Sequence, residues 1–547
     1  MKKLTYLTMF LFVFSMLGAQ EDMPIVWEMK LGHKIDYTGT DKTPDGHFSF
    51  AADAKKITVF KNEDGIEIWT KAYKEIAPKL RKVDELLAFW ESNTIFLFDR
   101  KTGKDQIACI DMKTGELLWN TEKYQNVTED VVIYVPEEEG FAITLKKELV
   151  FIKARTGEEV WSTTKFKGVV GEYIYSKDDR SLVMVNFVPG GLAAMFTGFK
   201  NQIARIHMTT GEIMWENTYI GRAERKVWTK EFIYELDRVE DKVFLKLNGM
   251  QAYDYNTGAT LWSAAFDFTA SSLYKGPSGT KKLGVYRAVA PPFVDGDDLY
   301  VLDMTDKKNQ YVKKYDVHTG KLLWTSKEIK GAKAIPGMKV VGDKVALQIG
   351  GKVEVQYYRR YKSGDTWYSE WKKFFPDIKP FGVQAFNTSD GTLAWESEKF
   401  KKGITNAISF DNYHIVCSGK SLYSIDINTG EDKYEVPVAK GGVGNAAMIL
   451  KYQEDIIVVI GEKGVSTFGA KDGSLLNSGK YKSSSIEERV DELVIMKTDK
   501  ADIACFDVNT CKYKEFKAKT GATTTLTADG HYIYVYEKNT VTKLKTR

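Results

Sequence analysis

Residues 111–119 read "DMKTGELLW", and near-copies of this nonapeptide recur along most of the 547-residue chain. In each strong copy the tryptophan stands four positions after the glycine, as Trp119 follows Gly115. The other strong copies are "KNEDGIEIW" (61–69), "KARTGEEVW" (153–161), "HMTTGEIMW" (207–215), "DYNTGATLW" (254–262), "DVHTGKLLW" (316–324) and "NTSDGTLAW" (387–395). Two weaker copies, 426–434 and 469–477, end in a tyrosine and an asparagine. A repeat of roughly 40–50 residues is typical of a propeller or another repeat array.

Each residue of the repeated unit has a structural interpretation. Gly115 supplies the positive φ angle that closes a tight turn. The side chains of Asp111 and Thr114 can accept hydrogen bonds from the turn backbone. Trp119 stands on a short strand, where a large flat side chain can wedge between neighbouring sheets. We expect the same structural roles at the equivalent residues Gly157, Trp161, Gly211, Trp215, Gly258, Trp262, Gly320 and Trp324.

Short apolar runs upstream of each turn predict about four strands per repeat. In the unit that ends at Trp161, these runs are "EDVVIYV", "GFAITLKK" and "ELVFIKA". Four strands make one propeller blade. We therefore predict an all-β propeller of four-stranded blades, with about 8–11 blades in one large ring or in two rings.

The two ends of the chain predict that the terminal strands pair. "PIVWEMKL" (24–31) matches the end of a repeat without its beginning, and Trp27 occupies the tryptophan position. Residues 522–547 contain three strand patterns and lack a fourth. A propeller loses its exposed sheet edges when an N-terminal strand completes the last blade. We therefore expect the strand of Trp27 to pair with the C-terminal strands.

The first residues indicate export from the cytoplasm. Residues 1–19 carry Lys2 and Lys3, then an apolar run and small residues, which is the layout of a cleavable secretory signal. No cysteine follows the expected cleavage site, which argues against a lipid anchor. No later apolar run is long enough to span a membrane. We expect a periplasmic or secreted repeat region over 20–547, with an insertion at about 331–390.

The charge of the chain is balanced. Its 78 basic and 74 acidic residues are interspersed, which argues against a nucleic-acid partner.

The repeat resembles that of the PQQ-like β-propeller family, whose blades carry a turn and a tryptophan that match Asp111, Thr114, Gly115 and Trp119. That family includes the quinoprotein alcohol dehydrogenases and the non-catalytic outer-membrane assembly propellers of the BamB type. The resemblance extends over nearly the whole mature chain and implies the propeller fold. It leaves an enzyme and a binding protein both open, because one fold hosts many functions.

The quinoprotein resemblance implies catalytic features that are not found in this sequence. In such enzymes adjacent cysteines form a disulfide over the quinone, with a tryptophan floor and calcium ligands near a catalytic aspartate. No two cysteines are adjacent here, and the six histidines have no metal-ligand spacing. We therefore predict no catalytic residue, no metal site and no cofactor, and the sequence assigns no cofactor-binding residue. PQQ with calcium is the alternative.

The four cysteines divide into two pairs with different surroundings. Cys109 and Cys417 lie in apolar strand patterns, where we expect buried free thiols. Only "FDVNT" separates Cys505 from Cys511, so these two could pair across a hairpin in an oxidising compartment. The sequence leaves a disulfide and two free thiols equally open at this place.

The insertion contains "QYYRRYKSGDTWYSEWKKFF" (356–375), which mixes aromatic and basic side chains. Such residue types are enriched at the energetic centres of protein interfaces. The candidate interaction surface consists of Tyr357, Tyr358, Arg359, Arg360, Trp367 and Trp371. The alternative is a twisted hairpin in which the rings pack across the strands and the charges are solvated.

These observations predict a non-catalytic scaffold outside the cytoplasm that binds an envelope or secreted protein, or a ligand. A PQQ-dependent dehydrogenase is the first alternative. A glycan-binding propeller is the second, and only the abundance of aromatic residues favours it.

Overall fold

The computed structural model of the protein consists almost entirely of β-strands. It describes residues 21–43, 45–100, 105–188, 198–227, 229–268, 270–305, 309–397, 400–411, 413–482, 485–489, 492–496 and 501–547. The secretory signal expected at 1–19 lies outside these residues. The helical segments of the described chain are single turns, namely Tyr73–Ile76, Glu129–Val131, Pro136–Glu138, Ala270–Leu273 and Val438–Gly441. None of them is long and apolar enough to cross a membrane.

The described strands form eleven blades of four antiparallel strands each. Blades 1 to 4 contain Tyr37–Thr40, Phe48–Ala52, Lys56–Lys61 and Glu67–Ala72; Glu85–Phe89, Thr94–Asp99, Gln106–Asp111 and Leu117–Thr121; Val132–Val135, Gly140–Thr144, Leu149–Lys153 and Glu159–Thr163; and Val169–Ser176, Ser181–Phe187, Ile203–His207 and Ile213–Asn217. Blades 5 to 7 contain Glu235–Val239, Lys242–Lys246, Gly249–Asp254 and Thr260–Ala265; Phe293–Asp295, Asp298–Asp303, Asn309–Asp316 and Leu322–Thr325; and Gly337–Val341, Lys344–Lys352, Asp377–Asn387 and Leu393–Glu396.

The remaining blades follow the same plan. Blades 8 to 10 contain Ile404–Phe410, Tyr413–Ser418, Ser421–Asp426 and Asp432–Pro437; Ala446–Tyr452, Ile456–Gly461, Gly464–Gly469 and Leu475–Lys480; and Ser485–Glu488, Glu492–Met496, Ile503–Asp507 and Tyr513–Phe516. Blade 11 contains Thr523–Leu526, Tyr532–Glu537, Thr540–Lys545 and the N-terminal strand Ile25–Lys30. Short fifth strands, Ile329–Lys330 and Glu21–Asp22, extend blades 6 and 10. The predicted all-β propeller class is confirmed.

The N-terminal strand completes the last blade, as predicted. Ile25–Lys30 pairs antiparallel with Thr540–Lys545, so that Trp27 lies opposite Lys543. The preceding residues pair with the outer strand of blade 10 in the parallel sense, Glu21 opposite Lys514. The two ends of the chain are therefore held in adjacent sheets, which covers the outer edges of both.

Each repeated turn is closed by its own side chains and by its glycine. In blade 2, Oδ1 of Asp111 accepts hydrogen bonds from the backbone amides of Lys113 and Thr114, at 2.8 and 2.9 Å. Gly115 has a φ of 65°, in the left-handed region that an L-residue adopts only with strain. Its amide donates to the carbonyl of Asp111 at 2.8 Å. The short motif therefore determines the geometry of the turn locally.

The tryptophan of each strong copy links its blade to the next. The indole of Trp119 lies against Gly157 of blade 3, and a Cβ at Gly157 would come within 2.7 Å of the indole Cδ2. Nε1 of Trp119 donates a hydrogen bond to the carbonyl of Ala154 at 2.9 Å. The glycine is therefore required twice, for the positive φ of the turn and for the space that the neighbouring indole fills. We call this contact the tryptophan latch.

The latch and the shared hydrophobic cores run from blade to blade. In blades 1, 3 and 4 the indole Nε1 likewise donates to a backbone carbonyl of the next blade. The pairs are Trp69 with Met112, Trp161 with Met208 and Trp215 with Tyr255. Blades 10 and 11 share one buried cluster. Blade 11 contacts blade 1, because Nε1 of Trp27 donates to the carbonyl of Asn62. Contacts between adjacent blades therefore recur along the described chain, and Trp27 also joins blade 11 to blade 1.

The insertion is narrower than the range expected at about 331–390. Residues 337–352 and 377–396 form the strands of blade 7, and only the hairpin between them leaves the blade. Its strands, Glu354–Ser363 and Thr366–Phe374, pair with each other, and Glu354–Ser363 also pairs with Thr280–Tyr286 from the connection between blades 5 and 6. We call this three-stranded unit the accessory sheet. The long interval between turn motifs contains three ordinary strands of blade 7 as well as the hairpin.

We expect Trp215→Ala to destabilise the protein strongly. The side chain is 7% exposed, lies against Gly258 and donates to Tyr255, so that its removal leaves a cavity and loses a hydrogen bond between blades 4 and 5. The expected loss is about 3–5 kcal/mol, measured by urea unfolding with tryptophan fluorescence. The matched control is Trp367→Ala, whose side chain is 58% exposed and whose loss should change stability by about 0.5 kcal/mol or less. Equal effects of the two variants would contradict the latch.

Candidate functional site

The accessory sheet is anchored to the propeller by a small apolar cluster of its own. Val285, Val355 and Tyr357 are buried together with alanines from the connections on either side of blade 6. Tyr357 is 5% exposed, and its ring meets that of Phe374 edge to face, with centroids 5.8 Å apart. Tyr357 was expected on the interaction surface, but the structure places it in this cluster. Because the base is packed, the outer part of the hairpin is held in a defined position.

Strand alternation divides the six residues of the predicted surface between two faces. Tyr358 lies directly opposite Trp371, and Arg360 lies opposite Ser369. Trp367 lies opposite Lys362, on the same side of the sheet. Tyr357 and Arg359 occupy the alternate positions and therefore belong to the other face.

One face of the hairpin is aromatic, basic and open to solvent. Trp367 and Trp371 are 58% and 40% exposed. The ring of Tyr358 packs on that of Trp371 with centroids 4.9 Å apart, and the guanidinium of Arg360 lies 5.1 Å from the ring centroid of Trp367. Lys282 of the neighbouring strand places Nζ 5.8 Å from the ring centroid of Trp371. We call Tyr358, Arg360, Trp367, Trp371 and Lys282 the aromatic face.

The opposite face of the hairpin is internally paired. Arg359 forms an ion pair with Glu370, the residue directly across from it. Its guanidinium also lies 4.2 Å from the ring centroid of Tyr361, and Tyr361 stacks on Tyr368 at 5.7 Å. The cross-strand packing that was the alternative interpretation is therefore present on both faces. It coexists with large exposed rings on the aromatic face.

The strand Thr366–Phe374 is an edge strand among the described residues. Its neighbour is Glu354–Ser363, and no strand of the described chain pairs with its other side. An open edge presents a row of backbone amides and carbonyls that another extended chain can pair with. Lys372 and Lys373 lie on this strand, and charged side chains on an edge oppose self-association. The edge and the aromatic face are adjacent, so one ligand could contact both.

Sequence reasoning missed Lys282 because it lies more than seventy positions before the hairpin. No local signal around "TKKLGVY" (280–286) connects it with the hairpin. Only the pairing of Lys282 with Tyr358 brings its side chain beside Trp371. Long-range register of this kind is not encoded in a strand's own hydrophobic pattern.

The cysteines have no reactive character in this fold. All four are free and buried. Cys505 packs between blades 10 and 11, whereas Cys511 packs between blades 9 and 10 and has a φ of 53° at the glycine position of its turn. The structure therefore has free thiols where the sequence left a disulfide open. Burial raises the pKa of Cys511 to about 11 and that of Cys505 to about 12, which keeps both thiols protonated near neutral pH.

A second group of titratable residues lies where blades 7, 8 and 9 meet. Burial lowers the pKa of Lys339 to about 8, and the positive charge of Lys451 adds to this effect. Burial also lowers the pKa of His414 to about 3, and its Nε2 is buried without a hydrogen-bond partner. A lysine with a depressed pKa is typical of functional sites, but it also occurs where a charge is simply buried. Among the described residues, no three of His, Cys, Asp and Glu come together as metal ligands.

We expect Lys339→Met to stabilise the protein at neutral pH. Since the folded-state pKa of about 8 lies below the ordinary value of 10.5, the folded chain bears the cost of a buried charge at pH 7. The free energy of unfolding should rise by about 1–2 kcal/mol at pH 7. This gain shrinks as the pH rises from 8 towards 10.5, where the lysine loses its proton in the folded and the unfolded chain alike. Thermal unfolding between pH 6.5 and 10.5 measures it, with the exposed Lys113→Met as the control. A gain that does not depend on pH would contradict the burial of a charged lysine.

Comparisons with known proteins agree on the repeat. A sequence model of the family described as outer membrane protein assembly factor BamB matches residues 53–230 and 200–367. No curated protein matches the chain.

Three solved structures are similar to the chain at low identity. BamB from Moraxella catarrhalis is 15% identical over 72% of this chain and 92% of its own, with a TM-score of 0.28. The computationally designed protein Ika8 is 13% identical over 70% of this chain and 97% of its own, with a TM-score of 0.34. A eukaryotic initiation factor is 12% identical over 76% and 94%, with a TM-score of 0.35. At such TM-scores these likenesses add nothing to the family match.

Proposed function

Since the chain belongs to the family described as outer membrane protein assembly factor BamB, whose model matches more than half of its length, we propose that it is a non-catalytic scaffold that binds another protein. The partner is an envelope or secreted protein, and the compartment is the periplasm or the exterior of the cell. The secretory signal expected at 1–19 supports this location. The observation that carries the proposal is the aromatic face beside an open edge strand.

The aromatic face has the chemistry of an interface centre. Tryptophan, tyrosine and arginine are the residues that contribute most to protein binding when a partner buries them. Here Trp367 and Trp371 are already held by Arg360 and Tyr358, so that little side-chain freedom is lost on binding. Such a rigid, exposed surface binds most tightly when a partner buries its rings in a complementary apolar pocket.

The open edge suits an extended partner segment. A strand added to Thr366–Phe374 would form backbone hydrogen bonds with the hairpin, while its alternate side chains would contact Trp367 and Trp371. The propeller fixes the position of this edge, because the hairpin continues directly from two strands of blade 7. Blades 1 to 11 would then serve as the frame that presents the hairpin.

The scaffold proposal includes no cofactor, and the quinoprotein alternative can be tested directly. In a quinoprotein a disulfide between adjacent cysteines covers the quinone, whereas Cys109 and Cys417 are buried in blades 2 and 8. We expect no stoichiometric quinone absorbance after incubation of the full chain with PQQ and calcium, and no dye-linked alcohol oxidation. A bound quinone at one per chain, with alcohol-dependent dye reduction, would replace the scaffold by an enzyme.

We expect the double variant Trp367→Ala, Trp371→Ala to lose its partner. Truncation of a tryptophan at the centre of an interface weakens binding by about thirtyfold or more, so the pair should weaken it by at least two orders of magnitude. The partner is first captured from an envelope extract by cross-linking, then purified and titrated by calorimetry. Circular dichroism and thermal unfolding should show an unchanged propeller.

The matched control is Leu475→Ala, Leu476→Ala, which removes an exposed apolar pair from the outer strand of blade 9. This control should bind the partner as the unaltered protein does. If the tryptophan variant retains the affinity of the unaltered protein, or if both variants lose it equally, the aromatic face is not the binding surface.

A further inference from the structure

A cavity of about 240 Å³ lies against the strand Thr280–Tyr286 of the accessory sheet. Its walls are residues 222–227 and Lys230, from the connection between blades 4 and 5, and the strand Thr280–Tyr286. Phe187, Leu283 and Tyr286 form apolar parts of the wall. The hydroxyl of Tyr286 accepts a hydrogen bond from the amide of Val227 at 2.8 Å, which ties the two walls together. The cavity is therefore a built feature of the contact between two segments outside the repeat.

The lining of this cavity has an excess of positive charge. Two carboxylates, Asp130 and Glu224, belong to it. The basic residues that line it are Arg222, Arg225, Lys226, Lys230, Lys281 and Lys282. Like charges enclosed in one cavity repel each other more strongly than on an open surface, because water screens them less. A negatively charged ligand would relieve this repulsion.

Two of the basic residues are already committed to the deeper carboxylate. Arg225 and Lys230 both donate to Oδ1 of Asp130, at 2.6 and 2.7 Å, and their charges hold the pKa of that carboxyl below its ordinary value. The guanidinium of Arg225 also lies between the rings of Phe187 and Phe232, at 5.1 and 5.5 Å from their centroids. Lys230 also lies 3.5 Å from Glu129, so that two cations and two carboxylates are paired here.

The mouth of the cavity carries more basic than acidic side chains. Lys281 is exposed, and no carboxylate of the described chain forms an ion pair with it. Lys282 places its ammonium 5.8 Å from the ring centroid of Trp371, and Arg222 contacts Glu224 at 3.2 Å. Burial raises the pKa of Glu224, and the charge of Arg222 opposes this shift. Lys281 and Lys282 therefore carry the charge that no carboxylate of the described chain pairs with, and Arg222 lies in the same lining.

We propose that this cavity binds an oxyanion, a phosphate or carboxylate group, at the cations Arg222, Lys281 and Lys282. Guanidinium and ammonium groups form short, charge-assisted hydrogen bonds with such oxygens. The volume suits one small anion with its waters or the acidic end of a larger molecule, and it is below the usual size of a site for a drug-sized ligand. The site shares Lys282 with the aromatic face, whereas Arg222 and Lys281 belong to the cavity alone.

Binding of inorganic phosphate and of an N-acetylated tetraglutamate peptide to the mature full chain tests the site. Isothermal titration calorimetry at low salt measures both probes, and a repeat at 0.5 M NaCl measures screening. We expect at least one probe to bind with one-to-one stoichiometry and to weaken at high salt. Phosphate alone indicates a free phosphate or phosphate monoester as the ligand, and the peptide alone indicates an acidic side chain. Both results support the site.

The variants decide where the probe binds. Lys281→Ala, Lys282→Ala should weaken it by about tenfold or more, because two charges are removed from the mouth. Lys146→Ala, Lys147→Ala removes an exposed lysine pair from a turn of blade 3 and should leave the affinity unchanged. Arg222→Ala should also weaken binding. Because Arg222 does not contact the hairpin, this variant removes a charge from the cavity without disturbing Trp371. Absence of binding by both probes, or equal losses in the two lysine pairs, would overturn the proposal.

Discussion

The contact between an indole and the glycine of the next blade is the constraint on which the rest of the structure depends. At Gly157 a positive φ of 68° and the indole of Trp119 exclude a side chain for two separate reasons. The glycine closes the turn of its own blade and also provides the surface on which the indole of the neighbouring blade packs. Since each contact involves only adjacent blades, the same unit can be added again and again. Eleven described blades, with the N-terminal strand in the last one, are the result.

The residue at the tryptophan position varies along the chain, but it still links each blade to the next. In the weaker copies the hydroxyl of Tyr434 donates to the carbonyl of Ala470 at 2.9 Å, and Nδ2 of Asn477 donates to Asn509. These side chains preserve the hydrogen bond and give up part of the apolar contact. Trp262 keeps the apolar contact and loses the hydrogen bond. Its ring lies against Gly320, but its Nε1 is buried without a partner among the described residues.

The junction of Trp262 is also where the chain departs most from the repeat. It joins blades 5 and 6, and the connection between them supplies the strand Thr280–Tyr286. That strand contributes Lys282 to the aromatic face and Leu283 and Tyr286 to the basic cavity. Segments that do not form blades are free to differ in sequence, because no neighbouring blade restricts them. Both proposed surfaces are therefore built on the same departure from the repeat.

Residues within one motif were enough to determine the blade, because the turn, its glycine and its tryptophan lie within nine positions and act locally or on the next copy. The pairing of the chain ends was also predictable, since Trp27 stood in a repeat without a beginning. Only the tertiary structure separated Tyr357 from Tyr358, placed Lys282 beside Trp371 and divided the expected insertion between blade 7 and a hairpin. The physical reason is that these relations depend on strand register between segments far apart in the chain, which no single segment specifies.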